Sequence, residues 1–265
     1  MARRSLSGLR AVVTGASSGI GQSLALEFAR RGARSLLVAR RAEILADVAN
    51  QANALGGSSI PLEGDVTDPT CRQAVLRAAT EQFGGLDLLV NNAGISAHGH
   101  FASERPEILR QIFEVNFFSA VELTRAALPL LRGGQTPMVV NIGSILGQRG
   151  IPFNASYCAS KFALTGWSES LRAELASAGI DLLLVSPGTT DTPFREHLVE
   201  KRITLSWERA KGVSPERVAL ATCRAMERGK RHIVPHCGGW WMLLANRLVP
   251  GIVDRSMALL ARRQR

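Results

Sequence analysis

Tyr157 and Lys161 stand four residues apart in a segment, Asn154 to Ala178, that reads as a helix, so both side chains project from one face. A phenol titrating near pH 10 is a poor proton donor or acceptor at neutral pH, and an adjacent ammonium is expected to stabilise the phenolate and lower that pKa. Tyr157 is the only tyrosine among 265 residues, and Lys161 is one of four lysines. Ser144 ends the run Asn141-Ile142-Gly143-Ser144, where its hydroxyl can orient a substrate carbonyl or alkoxide. A serine at a strand end also serves as a cap or turn residue, and that alternative stands beside the chemical one. Asn116 lies inside the long helical pattern Pro106 to Leu131, where asparagine is a mediocre helix former and invites a special explanation. Proton transfer to or from an oxygen is the chemistry these residues suit.

A second set of residues suits a nucleotide. Thr14-Gly15-Ala16-Ser17-Ser18-Gly19-Ile20-Gly21 follows an apolar run and opens a helical pattern. It places small residues and free backbone N–H groups at the positive end of a helix, where a pyrophosphate fits. The spacing is GxxxGxG rather than GxGxxG. After the next apolar run a free ribose 2′-hydroxyl would normally meet an acidic residue, but the chain offers Ala39-Arg40-Arg41. Arg40 can bond a 2′-phosphate bidentately or stack on adenine, with Ser17 and Ser18 as additional donors and Arg41 as the alternative. The plainer alternative is two solvated arginines in an arginine-rich chain. NADP(H) is therefore expected over NAD.

The elements that must position these groups follow from the pattern. Apolar, β-branched runs at Ala11 to Thr14, Ser35 to Ala39, Ser59 to Glu63, Leu86 to Val90, Pro137 to Ile142, Ile180 to Val185 and His232 to Val234 alternate with helical patterns. This predicts an α/β fold, a doubly wound, parallel seven-stranded sheet with helices on both faces and its ligand crevice beyond the carboxyl ends of the strands. The longest stretch without clear periodicity, Thr189 to Val213, is a candidate substrate lid.

Gly15/Gly19/Gly21, Asn91-Asn92-Ala93-Gly94, Asn116, Ser144, Tyr157-x-x-x-Lys161 and Pro187-Gly188 occur in the order and spacing of the short-chain dehydrogenase/reductase family, which the chain resembles from residue 8 to about 235. The resemblance implies a Rossmann domain in which Ser144, Tyr157, Lys161 and Asn116 are catalytic, Asn116 holding a water that extends a proton relay from Lys161 to solvent. It assigns Asp65 and Val66 to adenine, Asn91 with the Ala93-Gly94 backbone to the adenosine side, and Pro187-Gly188 with Thr192 to nicotinamide. Thr190 stands where the family usually has Val or Ile. Asp65 has the alternative of capping a helix. The expected reaction interconverts a ketone or aldehyde and an alcohol by hydride transfer, with Tyr157 as general acid or base. A cofactor-binding regulator without turnover and a membrane-surface adaptor are the alternatives; intact Tyr157, Lys161, Ser144 and Asn116 argue against both.

Composition bounds the rest. With 46% hydrophobic and 20% charged residues, the chain has the makeup of a globular domain. The run Trp240 to Leu260 is broken by Arg247, Pro250, Asp254 and Arg255, too often for a spanning helix. Four dispersed cysteines, with no CxxC or His pair, suggest neither disulfides nor a metal site. A strand begins almost at once after the basic start, so a cytoplasmic chain is expected. Residues 1 to 200 carry 18 basic and 18 acidic side chains, whereas 201 to 265 carry 14 and 4. The arginines of that tail are interspersed with bulky apolar residues, and no nucleic-acid motif appears, so nucleic acid is not an expected partner. Residues 1–236 read as the catalytic domain, and 237–265 as a C-terminal extension of two amphipathic helices. The extension has two readings, a wall over the substrate mouth or subunit contact, or a peripheral contact with a membrane surface. A homo-oligomer, dimer or tetramer, is expected, and Phe101, Ile151, Phe153, Phe194 and Leu198 point to a lipophilic substrate.

Overall fold

A computed structural model describes residues 4–205 and 211–262. Seven strands, β1 (Arg10–Thr14), β2 (Arg34–Ala39), β3 (Ser58–Glu63), β4 (Leu88–Asn91), β6 (Met138–Ile142), β7 (Asp181–Val185) and β9 (His232–Ile233), form one sheet in the order β3-β2-β1-β4-β6-β7-β9. Every pairing in it is parallel. Strands covered on both faces bury successive residues, which is why β2, β4 and β6 read as continuous apolar runs.

Helices α1 (Gly19–Arg30), α2 (Ala42–Ala54) and α7 (Pro215–Glu227) cover one face, meeting Ala11, Val13, Leu37, Val90 and Val140 through Leu24, Phe28, Leu45 and Val218. Helices α3 (Pro69–Phe83), α5 (Ser119–Arg132) and α6 (Ala155–Ala176) cover the other, meeting Val12, Leu36, Leu89 and Val139 through Val75, Phe83, Leu123 and Leu175. The doubly wound α/β architecture is thus the observed one. Strand order reverses between β1 and β4, and the crevice opens there.

The helical pattern from Pro106 is not uniform. Helix α4 (Pro106–Phe113) passes through a π turn, Glu114–Phe118, before α5, and Asn116 is in that turn. A second, two-stranded parallel sheet joins β5 (Ala97–His98) to β8 (Glu200–Lys201), too short to leave a periodic signal. It anchors the segment Thr189 to Val213, of which 206–210 lie outside the described residues. The tail forms α8 (Cys237–Leu248) and α9 (Pro250–Arg262); Arg263 and Arg265 lie outside the description.

At the amino edge of the sheet, away from the crevice, Asp87 accepts hydrogen bonds from Arg10 N (2.9 Å), Nε (2.8 Å) and Nη2 (2.6 Å), and from Gln135 N (2.6 Å). Burial alone would raise the Asp87 pKa, but the bonds from Arg10 and Gln135 outweigh it and hold the carboxyl below the ordinary carboxylate value. Asp87→Ala is expected to cost about 3 kcal/mol, because Arg10 is left with an unpaired, largely buried charge. A depressed carboxylate pKa gives stability that is present above the unfolded pKa and lost as pH falls through the folded one. The gap between wild type and variant in urea unfolding should therefore be wide at pH 7 and narrow on acidification.

Candidate active site

The crevice begins at the end of β1. Thr14 Oγ1 donates to Val90 O (3.2 Å) and accepts from the backbone N of Asn92 (2.9 Å) and Ala93 (3.1 Å). The Asn92 amide returns two bonds, to Thr14 O (2.9 Å) and Gly15 O (3.1 Å). This close approach requires glycine: Gly15 has φ +64, and a Cβ there would sit 2.9 Å from Ala93 Cα. A Cβ at Gly21 would lie 2.5 Å from Asn92 Nδ2 and collide with Gly15 O. Helix α1 starts at Gly19 without a side-chain cap or an acidic residue in its first turn, so nothing there competes with an anion for the terminal N–H groups.

Around this turn the expected residues separate. Gly15, Ser17, Ser18, Gly19, Ile20, Arg40, Arg41, Asp65, Val66, Ala93 and Gly94 line one cleft. Gly21 lies beneath, in the helix. Arg41 bonds Ser17 Oγ (3.0 Å) and Ser18 Oγ (2.9 Å), whereas Arg40 is largely exposed with its guanidinium 3.8 Å from Asp65. The partnership expected of Arg40 with the two serines thus belongs to Arg41. Asp65 bonds Thr67 N (2.9 Å) and Thr67 Oγ1 (2.8 Å), and the cap of α3 is Asp68. The expectation for Asn91 is corrected. Its side chain turns into the sheet interior, bonding Thr124 Oγ1 (3.0 Å) and Asn141 Oδ1 (2.8 Å), because alternation along β4 gives the cleft to Asn92.

At the other end of the cleft, the residues expected to be catalytic assemble from three elements. Ser144 Oγ caps the turn after β6, accepting from Leu146 N (3.1 Å), and lines the same cleft as Tyr157. Lys161, 4% exposed, donates to Ile142 O (2.9 Å) and lies 5.7 Å from the centre of the Tyr157 ring. Burial pushes the Tyr157 pKa up to about 12, against a smaller lowering by Ser144, and pushes Lys161 down to about 8. The sequence argument expected the ammonium to lower the tyrosine; in this arrangement desolvation is the first cause for both groups, and neither is shifted by the other. Asn116 bonds Ile95 O (3.0 Å) and Ser160 Oγ (2.9 Å) through Nδ2 and accepts from Ile95 N (2.8 Å), which commits its side chain to holding the loop after β4.

Residues distant in sequence complete the cleft, whose volume is about 760 Å³. Pro187, Gly188, Thr190 and Thr192 wall it after β7, and Pro187 O accepts from Ile145 N (2.9 Å), joining that loop to the one carrying Ser144. Phe194 stands 5.9 Å from the Tyr157 ring. Met242, Met257 and Leu260 of the tail helices line the same space. Arg149 holds the tail there, bonding Asn246 Oδ1 (2.9 Å) and Asp254 Oδ1 (2.7 Å). Sequence reasoning missed Asn92, Arg149, His197 and the two methionines. Only Asn92, inside a recognised motif, carried a signal. Among the described residues no group of His, Cys, Asp or Glu could hold a metal, and no helix is long and apolar enough to cross a membrane.

A parallel switch-point crevice with an uncapped helix end at one side and a Ser–Tyr–Lys cluster at the other defines a dinucleotide-dependent oxidoreductase site. The buried ammonium of Lys161 bonds a carbonyl and keeps further donors for ribose hydroxyls, so the residues present fit the cofactor. The family model for short chain dehydrogenase matches residues 10–203. The chain is 36% identical over 258 residues to hydroxysteroid 11-beta-dehydrogenase 1-like protein A of Xenopus laevis, covering 96% of this chain and 87% of that protein. It is 34% identical over 252 residues to the uncharacterized oxidoreductase YxnA of Bacillus subtilis, covering 93% and 70% respectively. A crystal structure of a short chain dehydrogenase/reductase from Burkholderia phymatum in complex with NAD matches with a TM-score of 0.85 at 26% identity, covering 96% of each chain. The protein belongs to the short-chain dehydrogenase/reductase family of oxidoreductases, with a Rossmann-like fold and a nicotinamide cofactor site.

The cost of burying Lys161 can be tested on the protein without cofactor. A lysine pKa lowered on folding means that the charged form is disfavoured in the folded state, so the penalty is full below about pH 8 and is relieved as pH rises toward the unfolded value. Lys161→Met should stabilise the free protein at pH 7 by about 1–3 kcal/mol, seen as a higher Tm, while removing cofactor affinity and turnover. Calorimetry with and without cofactor checks both halves.

Proposed function

We propose that the protein is an NADP(H)-dependent reductase of a lipophilic ketone or aldehyde, with the alcohol as product. The observation that carries this reading is Tyr157, half-buried beside Ser144 and Lys161 at the end of a cleft whose far wall is Met242, Met257 and Leu260. NADPH, when bound, supplies the hydride to the carbonyl carbon. Ser144 orients the carbonyl oxygen, and Tyr157 donates its proton to that oxygen as charge develops. Lys161 binds the ribose hydroxyls and holds positive charge beside the phenolate that forms. Because the Asn116 side chain is committed to Ile95 and Ser160, a water extending the proton relay from Lys161 would be held by the backbone of the π turn rather than by the Asn116 amide.

Arg41 with Ser17 and Ser18, and Arg40 outside them, support the choice of NADP(H). Thr190, Thr192, Pro187 and Gly188 serve nicotinamide, and Asp65 and Val66 adenine. Residues 237–265 belong to the same functional unit as 1–236, since they wall its cleft. Exposed Phe118 and Phe162 support assembly into a homo-oligomer.

Tyr157→Phe is expected to lower kcat by about 10²–10⁴ while NADPH binding stays within a few-fold, because only the transferable proton is lost. In the wild type, reduction should be insensitive to tyrosine ionisation through neutral pH, where the phenol is fully protonated. Oxidation of the alcohol, which needs the phenolate, should accelerate on the alkaline side. NADPH consumption with a panel of steroids, retinoids, long-chain carbonyls and small ketones finds the substrate; retained turnover in the variant would sink the mechanism.

A membrane-surface contact is supported by the outer side of the tail. Trp240, Trp241, Leu248, Ile252 and Leu259 are exposed, with Arg247, Arg255 and Arg262 among them. We read the protein as cytoplasmic and peripheral at a membrane. It should sediment with anionic vesicles at low salt, dissociate partly at high salt, and fail to sediment as the Ile252→Asp, Leu259→Asp variant. Absence of sedimentation at low salt would remove this contact.

A further inference from the structure

We infer that His197 is part of the 2′-phosphate site and that, through it, closing of the loop over the substrate depends on that phosphate. The inference rests on the NADP(H) reading above. Arg41 places its guanidinium between two elements far apart in sequence. Its Nη2 bonds Ser17 and Ser18 on the Gly-rich turn, and its Nη1 lies 3.1 Å from Nε2 of His197 on the loop after β7. All four side chains line the cleft. None of these three partners of Arg41 is a carboxylate, so its charge remains available to an anion.

The cluster suits a phosphate monoester better than a ribose hydroxyl. A phosphate offers three acceptor oxygens, and the group here can present a guanidinium fork, two rotatable hydroxyls and an imidazole N–H. In the present arrangement Nε2 of His197 accepts from Arg41, which puts the ring proton on Nδ1. Tautomer exchange turns Nε2 into a donor when the acceptor is the phosphate. A ribose hydroxyl engages at most one or two of these groups.

The consequence for the substrate lies in what else this segment touches. Thr192 packs over the Gly-rich turn, where a Cβ at Gly19 would come 3.0 Å from Thr192 Cγ2. Phe194 meets the Tyr157 ring at 5.9 Å. Val199 N donates to Ser96 O (2.9 Å), and Arg202 N to His98 O (2.8 Å). Thus eight residues, 192–199, span from the cofactor cradle past the catalytic tyrosine to the substrate wall, and His197 is where they meet the 2′-phosphate site. Anchoring at His197 holds Phe194 at Tyr157; without the phosphate that anchor is a single exposed bond to Arg41.

The test uses the full-length protein, with NADPH and NADH titrated by fluorescence. Limited trypsin cleavage within the loop, after Arg195, Lys201 and Arg202, is followed at saturation of each. The wild type should bind NADPH at least tenfold more tightly than NADH, and NADPH should protect the loop more than NADH does. His197→Ala should weaken NADPH about five- to tenfold, leave NADH within twofold, and abolish the difference in protection. His197→Lys, which supplies a donor at the same place, should recover the preference. If His197→Ala keeps the wild-type ratio of affinities, or loses both cofactors equally, the inference is overturned while the NADP(H) reading stands. If the wild type itself shows no preference for NADPH, that reading falls and the inference with it.

Discussion

The site depends on one close approach, that of the Thr14–Gly15 backbone to Asn92 at the point where strand order reverses. Neighbouring strands β1 and β4 send their following helices to opposite faces, so their carboxyl ends must part, and parting would strand buried polar groups. Thr14 Oγ1 and the Asn92 amide satisfy them across the gap with five bonds. Side chains at Gly15 or Gly21 would occupy the space those bonds need. Once the latch is closed, α1 can start only where its N-terminus faces the crevice. The cradle is therefore a consequence of how the sheet divides, and the glycines serve the protein's own backbone as much as a bound phosphate.

The same economy of space governs the end of the cleft that holds Ser144, Tyr157 and Lys161. Tyr157 and Lys161 are brought together by helical spacing, but their protonation is set by burial under the loops after β6 and β7. A phenol held near 12 and an ammonium pulled toward 8 form a pair biased to keep a proton on oxygen and ready to lose one from nitrogen. Helix geometry alone suggested the opposite bias for tyrosine, because a sequence shows which groups are adjacent and not how much water they lose.

What was legible in the sequence follows the same division. The central strands β2, β4 and β6 were readable because they are buried on both faces, and the candidate site because Tyr157, Lys161, Ser144 and the Gly-rich turn sit at fixed positions relative to the strands. Asn116 stood out as a poor helix former, and the π turn is the structural form of that misfit. Contacts between segments far apart were not legible. Arg41 rather than Arg40 facing Ser17 depends on the direction the chain takes after β2. The clasp of Arg149 on Asn246 and Asp254 spans about a hundred residues and leaves no local pattern. Asn91 turns inward and Asn92 toward the Gly-rich turn because one position along a strand reverses the face.

These two kinds of information build two ends of one cleft. The cofactor end is made of short-range turns anchored to the sheet, and a change there must respect the Thr14–Asn92 latch. The far wall is made of α8 and α9, fastened mainly by Arg149 and by apolar contact through Met242, Met257 and Leu260, groups that can be exchanged without disturbing a strand. On the proposed reading, substrate range can therefore shift by changes in the tail while the proton chemistry at Tyr157 stays constant. The loop after β7 is the exception, since it touches both ends. A substitution between Thr192 and Val199 should alter cofactor and substrate behaviour together, and that joint effect marks the segment as the link between them.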